Sequence, residues 1–142
     1  MRLVLDTAVM VAALRSDAGA SRKLLESVLS KRLALLISVP LMIEYEAVMT
    51  RPEHLAAAGW SESQVLDLLD VLADIAEQVT LAYLWRPLLQ DADDNMVFET
   101  AMNGRADAIV TFNRRDFAPV GTRFGMPVLK PAEAWMQLAK QQ

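Results

Sequence analysis

The residues of this chain best suited to chemistry are carboxylates set beside aliphatic runs. Asp6 closes Leu3-Val4-Leu5, and Glu44 lies shortly after Leu33-Ala34-Leu35-Leu36-Ile37. Asp91, Asp93 and Asp94 crowd together, and Asn113 and Asp116 follow Ala108-Ile109-Val110-Thr111. An aliphatic run that stops at a polar residue reads as a buried parallel strand ending in a turn. These side chains are therefore expected at one edge of a sheet. Carboxylates gathered there repel one another and raise each other's pKa unless cations neutralise them. A Mg2+ or Mn2+ ion held by a few carboxylates and water can activate a nucleophilic water and stabilise charge developing on a phosphoryl oxygen.

The elements that must position these acids follow from periodicity and punctuation. A first strand is expected near residues 2–6. An amphipathic helix over 20–30 carries Leu24, Leu25, Val28 and Leu29 and starts at Ser16-Asp17 or Ser21. The second strand ends at Ser38, and Pro40 sits as the first turn of a helix reaching about Thr50 requires. Pro52 and Gly59 bracket a loop, and Ser61 to Gln64 has the spacing of a capping box opening a helix with Val65, Leu68, Leu69, Leu72 and Ile75 on one face. A third strand is expected over Val79–Tyr83, a helix from the Asp91–Asp94 cluster to Asn103-Gly104, a fourth strand over Ala108–Thr111, a fifth over Pro127–Leu129, and a last helix from Pro131 to about Ala139. Strands alternating with helices predict an α/β fold of three layers, α/β/α, around a central parallel sheet of four to five strands. Ligands bind such sheets beyond the carboxyl ends of the strands, where strand order reverses.

Composition narrows the chemistry. The 142 residues suit a single domain, 1–142, with 54% hydrophobic and 23% charged residues. Cysteine is absent, which excludes disulfides, thiolate metal sites and cysteine nucleophiles. The lone histidine, His54, sits in the polar turn Arg51-Pro52-Glu53-His54 and reads as a surface residue. Any metal is thus expected on oxygen. The N-terminal run is too short for a signal peptide and no apolar stretch approaches the ~20 residues of a membrane span, so a cytoplasmic protein without membrane contact is expected. A net charge of −4 argues against gripping nucleic acid by bulk positive charge, but not against reaching a phosphodiester through bound cations.

In order and spacing, Val4-Leu5-Asp6-Thr7, Ser38 with Leu41-Met42-Ile43-Glu44-Tyr45-Glu46, Asp91-Ala92-Asp93-Asp94-Asn95 and Ala106 through Phe117 resemble the PIN-domain family, in particular its toxin branch from toxin-antitoxin systems. The likeness spans nearly the whole chain. It implies a PIN-like fold and a Mg2+- or Mn2+-dependent endoribonuclease whose core acids are Asp6, Glu44 and Asp94. Asn113 or Asp116 matches the variable fourth position, with Thr111 the polar residue beside it. Asp6, Glu44, Asp94 and Asp116 are then the catalytic candidates, and Asp6, Asp94, Asn113 and Asp116 the metal candidates. The resemblance also implies an RNA substrate, a homodimer and a cognate antitoxin. The chain departs from the family pattern at Ala8, where Asn or Ser is common, at Ala92, where Pro is common, and at Asn113, where many members have Asp.

Plainer readings stand beside these. Asp6 suits a strand-closing turn, Glu44 an exposed helix face, and Asp91, Asp93 and Asp94 a helix cap that complements the dipole. Thr111, Arg114 and Arg115 are candidate RNA contacts, although adjacent arginines also serve as solubilising charge. The methionines and Trp60, Trp85 and Trp135 read as packing. The apolar faces of 20–30 and 61–76 are core faces first, and docking surfaces second. Lys130-Pro131 resembles a receiver-domain signature, but Asp6 lacks the adjacent acid and residues 78–84 contain none. The alternatives to the toxin nuclease are a PIN-like binding module without activity and a housekeeping nuclease.

Overall fold

The computed structural model describes residues 1–82, 89 and 91–141. Its strands are β1 (Arg2–Leu5), β2 (Ala34–Ile37), β3 (Glu77–Gln78), β4 (Ala108–Val110) and β5 (Val128–Leu129). They pair in parallel in the order β3-β2-β1-β4-β5. Leu3, Val4 and Leu5 are all buried, as are Leu35, Leu36 and Ile37. A strand covered on both faces needs no polar alternation, which is why these segments read as unbroken aliphatic runs. Register sets Leu3 opposite Leu35 on one side and Ala108 on the other.

Eight helices connect the strands among the described residues: α1 (Thr7–Arg15), α2 (Ala20–Leu29), α3 (Val39–Met49), α4 (Pro52–Ala58), α5 (Glu62–Ile75), α6 (Ala92–Gly104), α7 (Arg114–Phe124) and α8 (Pro131–Lys140). The chain winds from β1 outward to β3, then crosses to β4 and β5. Right-handed crossovers place the connections of the two halves on opposite faces. Accordingly α6 lies on β1, β2 and β4 with α7 beside it, while α1 and α8 pack against α2. The fold is the α/β class expected, and strand order reverses between β1 and β4.

Several elements differ from the sequence reading. Thr7–Arg15 is helical although no amphipathic stripe announces it, because Thr7, Val9, Met10, Val11, Ala13 and Leu14 are all buried. The expected loop between Pro52 and Gly59 is α4, with Pro52 in its first turn and Gly59 at φ 73° closing it, the placement that favours Pro at the start and Gly at the end of a helix. Residues 114–124 form α7 despite Pro119. The third strand is Glu77–Gln78 rather than Val79–Tyr83, with Val79 adding one more backbone bond to Ile37. It is an exposed edge strand, held by backbone pairing that a hydrophobicity pattern does not reveal. Tyr83, and Trp85 with its expected packing role, lie outside the described residues.

Two side-chain clamps fix the ends of the sheet. At the amino edge, the Arg2 guanidinium donates to Glu77 and to the carbonyls of Gly104 and Arg105, joining β1, β3 and the end of α6. At the carboxyl edge, the buried Ser38 hydroxyl caps α3 and shares a 2.7 Å hydrogen bond with Thr100 of α6.

Candidate functional site

The crevice beyond the carboxyl ends of β1 and β4 has a volume of about 330 Å3. Its lining includes Asp6, Glu44, Asp91, Asp93, Asp94 and Asn113. The acids expected at one sheet edge are thus brought together, each by a different element.

Asp6 is 8% exposed and serves as the N-cap of α1. One carboxylate oxygen accepts the Thr7 N–H at 2.9 Å, and the other accepts the Thr111 hydroxyl at 2.7 Å. The Thr111 oxygen in turn accepts the Asn113 N–H at 3.0 Å. This chain of bonds ties the end of β1 to the turn after β4, and each Asp6 oxygen keeps a further lone pair. Burial raises the Asp6 pKa, the bonds from Thr111 and Thr7 oppose that rise, and the charges of Asp91 and Asp93 add to it.

Glu44 lies one turn and a half into α3, half-buried. Its neighbour Tyr45 is fully buried and donates its hydroxyl to the Leu5 carbonyl, locking α3 to the end of β1 beside Asp6. Burial first, and then the charge of Asp93, raises the Glu44 pKa; Arg51 lowers it, and Asp91 and Asp6 raise it again.

The third contribution comes from the start of α6. Asp91 is the cap, accepting the Asp93 N–H at 2.8 Å. Asn95 is buried and clamps the preceding turn, accepting the Leu89 N–H at 3.1 Å and donating to the carbonyls of Leu89 and Asp91. With the turn so held, Asp94 is partly buried among other acids, and its pKa is pushed from 3.8 up to about 6 by burial and then by Asp6, Asp91, Asp116 and Asp93. Capping and crowding coexist in one acidic run.

Asn113 lines the crevice as the N-cap residue of α7 without a capping side-chain bond. Asp116, exposed in the first turn of α7, reaches Asp94 through its charge. Thr111 is fully buried and donates to Asp6, so its hydroxyl faces a carboxylate rather than the solvent from which RNA would approach. Arg114 pairs with Glu133 of α8 and lines a separate hollow between α7 and β5 that contains no acid. Arg115 is exposed.

Sequence reasoning did not place Val11, Val48, Arg51 and His54 at the site, yet all four line the crevice. His54 belongs to α4 rather than to a surface turn. The signal for part of this wall was available: Glu44 and Val48 are four residues apart, which keeps side chains on one helical face, whereas Arg51 follows the end of α3 as the N-cap residue of α4. Ala8 is exposed and also lines the crevice. Trp60 and Trp135 do pack, each under a cationic side chain, Arg22 and Lys23 respectively.

Fold and crevice together define a class: a parallel α/β protein with a carboxylate cluster at its topological switch point. A PIN-domain family model matches residues 2–115, and the chain belongs to the PIN-domain family, whose members are generally nucleases using divalent metal ions. In fold it is similar to a chain of VapBC2 from Rickettsia felis, a complex solved bound to a DNA fragment from their promoter. That likeness covers 92% of this chain and 98% of the other, at 17% identity and a TM-score of 0.61. No curated protein sequence matches the chain. No described helix is long and apolar enough to cross a membrane.

Proposed function

We propose that the protein is a Mg2+- or Mn2+-dependent endoribonuclease, working in the cytoplasm as the toxin of a toxin-antitoxin pair, with residues 1–142 acting as one domain. The observation that carries this reading is the shared crevice of Asp6 and Asp94, with the Asp94 pKa raised to about 6 by burial and then by the charges of its acidic neighbours. The donor set fits a hard ion. Among the described residues no group of three or more acids or histidine is arranged to hold a metal by itself. Mg2+ is commonly bound through one or two carboxylates with the rest of its shell water. Asp6 and Asp94 would hold it, with Asn113 or Asp116 as a further oxygen donor.

Bound there, the ion would supply a water acidic enough to attack phosphorus and a positive charge for the phosphoryl oxygens. The chain's own groups do the rest. Thr111 and the Thr7 N–H orient Asp6 and favour its charged form against the effect of burial. Glu44, partly buried and raised in pKa, is the group we assign to accept the proton of the attacking water. Asp116 adds negative charge at the rim, and Arg115 is the proposed contact to an RNA phosphate from α7.

The antitoxin proposal is supported by the fold likeness to a chain of VapBC2, which was solved as a complex. The homodimer proposal is supported by α3, where Val39 and Ile43, one turn apart, are 68% and 62% exposed. Leu29 and Val71, on the helices expected to offer such a surface, are exposed too, but singly.

Purified protein with Mg2+ or Mn2+ is expected to cut single-stranded or structured RNA, and Asp6→Ala and Asp94→Ala are expected not to. Cleavage persisting in both variants refutes the assignment. An inactive binding module is the second reading, favoured by the methyl group of Ala8 facing the crevice and by neutral Asn113. A folded protein that binds no Mn2+ at millimolar concentration would establish it instead.

A further inference from the structure

The crevice has a second end that the acids do not explain. Past Glu44, its α3 and α4 wall presents Val48, then Arg51 and His54, while α1 contributes Ala8 and Val11. Besides the carboxylates, the lining therefore includes an apolar group of Ala8, Val11 and Val48 and a guanidinium with an imidazole. In a crevice otherwise hostile to anions, this end is suited to one.

Two observations argue that these groups are not there for the fold. Arg51 is exposed, and among the described residues it forms no ion pair, although its charge reaches Glu44. The Nδ1 atom of His54 is buried and has no hydrogen-bond partner, whereas buried polar atoms are almost always paired. A guanidinium matches phosphate oxygens in charge and in hydrogen bonding, and the imidazole beside it can add a donor through Nε2, its Nδ1 being buried. Arg51 stands past the end of α3, as the N-cap residue of α4, whereas Asp6 and Asp94 come from the end of β1 and the start of α6. The guanidinium and the two carboxylates therefore enter the crevice from different elements.

We propose that Arg51, with His54 beside it, binds a flanking phosphate of the RNA strand, and that the nucleosides between it and the cut lie over Ala8, Val11 and Val48. The assignment rests on the ribonuclease reading of the acidic end. It makes Arg51 a substrate-positioning residue for strand binding rather than part of the hydrolytic machinery.

The test compares wild type, Arg51→Gln, Arg51→Lys and His54→Ala, each checked for an unchanged thermal transition. The substrate is a 5′-fluorescein-labelled single-stranded RNA of mixed sequence, cleaved with Mn2+ over a range of salt concentrations. Mn2+ affinity is measured separately without RNA. Arg51→Gln is expected to raise KM about tenfold and leave kcat within about twofold, the loss of one charged hydrogen bond. Its salt slope for RNA binding should flatten by ~0.7, one phosphate contact on a single strand. Arg51→Lys should restore the slope, His54→Ala should raise KM about threefold, and Mn2+ affinity should be unaltered. An unchanged KM and slope in Arg51→Gln overturns the assignment. Because Arg51 lowers the Glu44 pKa, kcat is compared at a pH above the acid limb, and a fall in kcat there with KM unchanged also overturns it. If wild type cuts no RNA, both readings fall; if it cuts and Arg51→Gln matches it, only this one does.

Discussion

Asp94→Asn should make the metal-free protein more stable at neutral pH while abolishing its activity. The Asp94 pKa rises from 3.8 to about 6, with burial the first cause and the charges of Asp6, Asp91, Asp116 and Asp93 the next. Complete linkage of such a rise corresponds to about 3 kcal/mol of destabilisation once the group is ionised in both states. Asp94 is only partly buried, and solvent screening reduces this to about 1–1.5 kcal/mol. The sign follows from proton binding. Between pH 4 and 6 the folded state holds more protons than the unfolded state, so stability falls as pH rises through this window and then levels off. Asparagine keeps the shape and removes the charge. At pH 7.5 in EDTA it should raise Tm by ~3–6 °C, and the gain should shrink toward zero near pH 4. RNA cleavage should fall at least ~100-fold. Saturating Mg2+ or Mn2+ should stabilise wild type more at pH 7.5 than at pH 5, and the variant much less at either. Differential scanning calorimetry at stepped pH, with and without metal, reads all of this. An asparagine variant less stable than wild type at pH 7.5 without metal would refute the crowding argument, because the acid would then be contributing to the fold rather than straining it.

Thr111→Val removes the hydroxyl that donates to Asp6 and accepts from Asn113. It should raise the Asp6 pKa further, move the acid limb of the pH–rate profile upward, and lower stability by about 1–3 kcal/mol, read by chemical denaturation. Asn95→Ala unclamps the turn at Leu89 and leaves buried backbone groups unpaired; a loss of about 2–3 kcal/mol is expected, with Mn2+ affinity falling as Asp94 loses its fixed position. Ile43→Glu places a charge on the exposed α3 face and should shift the protein from dimer to monomer in analytical ultracentrifugation while leaving Tm of the monomer within about 1–2 °C, the small effect of an exposed substitution.

What could be read from the sequence was whatever a single pattern determined locally. The Ser61–Gln64 capping box forms as expected, and Asp91 caps α6 as one reading of the acidic run required. The aliphatic runs became β1, β2 and β4 because full burial imposes the same composition that was used to find them. Elements were missed where burial or pairing is settled by distant partners. Helix α1 is packed between α2, α3 and α4, so its apolar residues surround the axis and give no stripe. Strand β3 is polar and is made by its neighbour's backbone. The site shows the same division. Asp6, Glu44 and Asp94 stand out as acids near strand ends, whereas Ser38–Thr100 and Asn95–Leu89, which hold their elements in place, are ordinary polar residues until their partners are known.

Ala8 shows how geometry changes the weight of a departure from pattern. Where the family commonly has Asn or Ser, a methyl takes away a hydrogen bond that would orient Asp6 or a metal-bound water. In the fold, Asp6 takes its two bonds from the Thr7 backbone and the Thr111 hydroxyl, one supplied by any residue that begins α1 and the other from across the switch point. Asp6 is therefore oriented without residue 8. Ala8 instead lines the crevice that the acids and Arg51 also line, where a polar side chain would present donors and acceptors to whatever lies there and a methyl presents apolar surface. The substitution thus bears on what passes through the crevice more than on whether Asp6 is held. Neutral Asn113 bears on the opposite quantity: with four other acids already raising the Asp94 pKa, a fifth carboxylate at this position would increase the repulsion the fold has to withstand before any cation arrives.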